Sequence, residues 1–206
     1  NPLNKTAYPP QWVALIFPPA LHLNLLALLH LGVAFVGMFL WARRLNLRAE
    51  AASLAAIAYT LAPRLIGHLG AGHLDVLYAL AWFPWLMFTL RQVFDRGRLV
   101  DWLGLALVTA LLILADVRVS LFALLTGAVY AASLFYRHKA WAARLLPMIG
   151  TAVLTLLLIL GLVVPLLIWS PYLTRASVTA ADAGGLSLQP IHLLGLLLPQ
   201  HRGTVE

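Results

Sequence analysis

From Val100 to Tyr136 the chain is apolar almost without relief, and past the first helical turn its only charged break is Asp116-Val117-Arg118. A single helix of that length would measure roughly 55 Å, against a hydrocarbon core of about 30 Å. The segment must therefore fold back on itself. The turn belongs at Asp116 to Ser120, although it holds neither glycine nor proline, and two spans of about 17 residues result.

Runs of this kind set the class. Of 206 residues, 62% are hydrophobic and 10% charged, whereas a soluble domain is about 25% charged. The expected fold is all-α, a polytopic transmembrane helix bundle of about six spans with short interfacial helices in the external loops. The net charge of +7 does not point to nucleic acid, because the basic residues are scattered between apolar runs as topology signals are. With no cysteine, disulfides, thiolate metal sites and a cysteine nucleophile are excluded. The chain opens on Asn1 without a signal pattern, and is expected to be an internal piece of a longer protein.

One transmembrane domain is expected over 1–206. Residues 1–19 form an external loop with an interfacial segment at Trp12 to Phe17, stopped by Pro18-Pro19. The spans occupy 20–169: Ala20 to Trp41, a run from Ala51 interrupted by Pro63 and Arg64, Leu74 to Phe94, the two halves of the Val100 run, and Leu145 to Trp169. Residues 170–206 form a second external loop, whose apolar piece Ile191 to Leu198 is too short to cross. Arg43, Arg44, Arg48, Arg91, Arg96, Arg98, Arg137, Lys139 and Arg144 fall in alternate loops; Lys5, Arg64, Arg118, Arg175 and Arg202 fall on the other side. The richer side is cytoplasmic by the positive-inside rule.

Pro63 to Trp85 carries the densest polar cluster: Arg64, His68, His73 and Asp75. Ionisable groups at membrane depth are costly and point to function. Arg64 is expected about 20 Å into the second span, in its outer third, where it either snorkels or grips a lipid phosphate through paired hydrogen bonds. Arg118 and Arg175, on the same side, are further phosphate candidates. His73 and Asp75 open the third long span. Asp75 either caps the helix start or serves as a general base oriented with His73. His68, His73 and Asp75 also suggest a divalent metal ion. His22 and His30 share one face of the first span and fit buried, hydrogen-bonded histidines. Asp116 and Arg118 fit a self-neutralising pair.

The segments NPLNKTAYPP, RRLNL, LIGHLGAGHLDVLYALAWFPWL, TRAS and LSLQPIHLLGLLLPQHRG together resemble the YfhO-like family of bacterial polytopic membrane proteins, which is similar to the C-type glycosyltransferases. The resemblance implies an enzyme of the bacterial plasma membrane. It would move a sugar from a polyprenyl-phosphate donor to a cell-envelope glycan or glycolipid acceptor at the external face. It implies Arg64 as the phosphate ligand, with Arg118 and Arg175 as further ones or a divalent cation in their place, and His73 and Asp75 against sugar or acceptor. Enzymes of the C type place a catalytic carboxylate in the first external loop. Asn1 to Trp12 holds no Asp or Glu, so that base is expected upstream. A transporter or lipid flippase would use the same arginines differently, and a non-catalytic scaffold would keep its function with Arg64, His73 and Asp75 neutralised together.

Overall fold

The structure, a computed structural model, describes residues 5–137 and 142–172. Two compact units divide the chain, 1–165 and 166–206. The described part of the second is the last turn of a helix and a 3-10 turn, Ser170–Tyr172. Among the described residues the regular structure is entirely helical.

Eight α-helices follow a 3-10 segment at Pro9–Leu15: α1 Pro19–Arg44, α2 Ala49–Thr60, α3 Pro63–Gly70, α4 Leu74–Asp95, α5 Leu99–Ala115, α6 Val117–Arg137, α7 Ala142–Leu158 and α8 Leu160–Trp169. Their ends follow from local chemistry. Proline, which has no N–H to lose, opens both α1 and α3. Asn46 closes α1 at φ 65°, while the amides of Asn46 and Leu47 return to the carbonyls of Arg43 and Ala42. At the start of α5, the Asp101 carboxylate accepts the backbone N–H of Arg98 at 3.0 Å, one half of a capping box.

Contacts along the helices fix their directions. From α1 to α4, His30 stacks on Tyr78 with ring centroids 4.1 Å apart, Trp85 donates to the Val33 carbonyl at 2.8 Å, and Arg44 pairs with Asp95 at 3.2 Å. These two helices therefore run the same way. So do α4 and α6, joined successively by Asp75 with Arg118, Leu86 and Leu90 against Gly127, and Phe94 on Phe135. Helix α2 returns alongside α1, so that its Tyr59 hydroxyl donates to the Leu80 carbonyl at 2.7 Å near the start of α4. Helices α5 and α7 run together in the opposite sense to α6. Trp102 faces Pro147 across one shared cavity, and Thr155 donates to the Ala106 carbonyl at 3.4 Å. Helix α4 is the hub, and Leu77, Tyr78, Val93 and Phe94 on it are fully buried.

Among the described residues, two helices, Pro19–Arg44 and Val117–Tyr136, are long and apolar enough to cross a membrane, and a third span arises if Leu146–Leu158 and Leu160–Tyr172 count as one broken helix. Helix α2, with 12 residues, is about 18 Å long and falls well short by itself. The long apolar run does break at Asp116, which is extended between α5 and α6. The sequence treats Leu145 to Trp169 as one span, but the chain breaks at Ile159. Gly161 and Pro165 in the following turns weaken helix continuity there. Many large apolar side chains remain exposed, among them Leu28, Leu54, Phe122 and Val129. Surface of that kind fits contact with lipid.

Candidate functional site

Pro63 decides the geometry of the polar cluster. It forces Ala62 into an extended conformation, so α2 ends at Thr60 and a separate eight-residue helix begins. Arg64 therefore sits in the first turn of α3 rather than in the outer third of a continuous second span. It is exposed, and it forms no salt bridge among the described residues. Helix α3 is strongly amphipathic: Leu65 is buried while Arg64, Ile66 and Gly67 face outward.

The end of α3 is a Schellman turn. Gly72 takes φ 72°, its amide bonds the Leu69 carbonyl at 3.1 Å, and the His73 amide bonds the His68 carbonyl at 2.9 Å. This turn brings the residues at its two ends together, and the rings of His68 and His73 lie with centroids 5.7 Å apart.

Asp116 is the N-cap of α6. One carboxylate oxygen accepts the amides of Arg118 and Val119 at 2.8 and 3.0 Å, and the Arg118 guanidinium donates to the other at 2.7 Å. Arg118 also reaches Asp75 at 3.3 Å. The pair expected from sequence to neutralise itself is thus a three-membered bridge, Asp116, Arg118 and Asp75, tying the start of α6 to the start of α4. In this arrangement Asp75 faces Arg118, while the exposed His73 lies against His68.

Burial works against ionisation of Asp116, but the hydrogen bonds from Arg118 and from the Val119 amide outweigh it and hold its carboxyl below the usual carboxylate range. With the folded pKa lowered, the stabilisation is complete above the ordinary aspartate value and is lost as pH falls through the lowered one. Asp116→Ala is expected to cost about 1–2 kcal/mol, read as a lower unfolding temperature in detergent at pH 7. The gap should close in strong acid; an equal gap at both pH values would contradict the cap.

A cleft of about 440 Å³ takes in three of these residues. Arg64 and His68 of α3 and Arg118 of α6 line it together with Tyr59, Phe83 and Phe122. Two of the three arginines expected to bind phosphate therefore meet across a pocket with aromatic and aliphatic walls. Arg175 and the piece Ile191 to Leu198 lie outside the described residues. Among the described residues, no three His, Asp or Glu side chains gather closely enough to hold a metal ion, so Asp75 does not complete a set with the two histidines.

The sequence does not point to Tyr8. It is fully buried, accepts a hydrogen bond from Trp82 Nε1 at 2.8 Å, and meets His30 Nε2. His30, itself fully buried, has its Nδ1 2.7 Å from the Leu26 carbonyl. A tyrosine between prolines in a leading loop is the one hint, and it says nothing of a partner 22 residues away.

Comparison of the chain with protein-family models, curated proteins and solved structures finds no match.

Proposed function

We propose that the chain belongs to a multi-pass membrane glycosyltransferase of the YfhO-like kind, which moves a sugar from a polyprenyl-phosphate donor to an envelope acceptor at the external face of the bacterial plasma membrane. The observation that carries the reading is the meeting of Arg64 and Arg118 in one cleft with otherwise apolar walls. Guanidinium groups are permanently charged and match phosphate oxygens in pairs, while Phe83, Phe122 and Val76 suit a hydrocarbon chain. In the proposed topology α1, the α2–α3 pair, α4, α5, α6 and the α7–α8 pair cross alternately, giving about six spans. The end rich in arginine, with Arg44, Arg91 and Arg98, is inside, and the cleft is outside.

In the reaction an acceptor hydroxyl attacks the anomeric carbon, a carboxylate takes its proton, and the lipid phosphate leaves with the bonding electrons. Arg64 and Arg118 hold that phosphate where negative charge develops. His73, against the cleft-lining His68, and Asp75, paired with the cleft-lining Arg118, contact sugar or acceptor. Arg64→Ala is expected to weaken polyprenyl-phosphate binding by the protein in nanodiscs roughly 10- to 100-fold, the worth of a charged hydrogen-bonding pair, with expression unchanged. Unaltered binding would remove the assignment.

A second reading, an anionic-lipid flippase, is favoured by one observation. Arg118 engages both Asp75 and Asp116, so the cleft offers a phosphate grip more plainly than a base. In that case Arg64→Ala abolishes binding in a protein that shows no sugar transfer in the wild type.

A further inference from the structure

We propose that His68 and His73 form a bidentate site for a divalent transition-metal ion of the zinc class at the edge of the cleft. The Schellman turn makes the pair. His68 is three residues before the cap and His73 two residues after it, and the two backbone bonds across Gly72 lock their spacing. Imidazole is a favoured ligand of zinc, copper and nickel. Two metal–nitrogen bonds of about 2.0–2.1 Å at the tetrahedral angle place the ring centroids roughly 5 Å apart. The observed 5.7 Å, with planes 43° apart, is within about 1 Å of that spacing, and rotation about the side-chain bonds turns a nitrogen of each ring toward a shared ion. His73 is exposed and His68 half-buried, so both can release solvent to an ion without unfolding the helix.

Two histidines leave the remaining coordination positions open. Because His68 also lines the cleft that holds Arg64 and Arg118, those positions suit an anionic oxygen ligand. This last step rests on the reading of the cleft as a phosphate site; the metal site itself does not. Arg64 lies one helical turn before His68 on α3, so a divalent ion there meets its positive charge while the cleft is empty, and the charge of a bound phosphate offsets that cost. Metal and phosphate are therefore expected to bind cooperatively, each strengthening the other by the same factor.

The test uses the full chain in detergent with zinc alone as the probe, titrated against a colorimetric chelator. His73→Gln and His68→Gln are each expected to weaken zinc binding at least tenfold, while His22→Gln leaves it unchanged. Gly72→Val, which strains the turn, should weaken zinc binding with both histidines present. Zinc affinity untouched by either histidine substitution overturns the site. In a second arm, zinc should raise polyprenyl-phosphate affinity severalfold in the wild type and not in His73→Gln. Loss of lipid binding in Arg64→Ala with zinc binding intact separates the two sites. Lipid binding indifferent to Arg64, alongside zinc binding that depends on His73, would retire the phosphate reading and leave the metal site standing.

Discussion

Gly37→Ala is expected to lower the stability of the protein by about 2–4 kcal/mol, the sum of overpacking strain and a lost hydrogen bond. A Cβ at position 37 would lie 2.4 Å from Cδ1 and 2.6 Å from Nε1 of Trp85. The indole has little freedom to retreat. Its N–H is spent on the Val33 carbonyl at 2.8 Å, and its ring stands edge-on to Phe88 at 6.0 Å. The missing side chain thus lets α4 lay a flat aromatic ring directly on the backbone of α1. Thermal unfolding in detergent, followed by circular dichroism, measures the loss. Trp85→Phe in the same chain should restore part of it, because the smaller ring vacates the space. A single substitution with unchanged unfolding temperature would show that the indole moves aside without penalty.

The second large effect concerns Tyr8. The Leu26 carbonyl can only accept, so His30 must carry its proton on Nδ1 and present Nε2 as an acceptor. The chain of bonds is then directional: Trp82 N–H donates to the Tyr8 oxygen, the Tyr8 O–H donates to His30 Nε2, and His30 Nδ1–H donates to the backbone. Tyr8→Phe removes one oxygen and strands two polar atoms in the interior. At about 1–3 kcal/mol for each unsatisfied buried group, less for the half-buried Trp82, the expected loss is about 2–4 kcal/mol. The double variant Tyr8→Phe with His30→Leu should be more stable than Tyr8→Phe alone, since the orphaned acceptor is gone. Equal stabilities would mean that the hydroxyl holds nothing in place.

These two sites also mark where sequence reading stops. The break at Asp116 was legible because membrane thickness limits helix length, whatever the rest of the chain does. The burial of His30 was legible as well, since a polar ring in the middle of an apolar helix has to face protein. Helix α3 was not separated from α2. Hydropathy continues through Leu61 and Ala62, and the decisive signal was the backbone constraint of Pro63. For the cleft, sequence could supply Arg64 and Arg118 as candidates but not their meeting, which depends on α4 and α6 running side by side. The Asp116–Arg118 pair was visible because its members are two apart; the Asp75 arm, 43 residues distant, is a product of the fold. Tyr8 was missed for the same reason.

The bridge of Asp75, Arg118 and Asp116 has a consequence for delivery. Arg64 and Arg118 line the cleft, while Asp75 and Asp116 lie behind it, paired with Arg118, so the four together carry no formal net charge and cast little field beyond the Debye length of about 8 Å at physiological salt. Such a pocket does not gather anions from bulk water by steering. Whatever occupies it has to be brought within contact range by something else. For an amphiphile that is confinement to the bilayer plane, where a search in two dimensions replaces attraction in three.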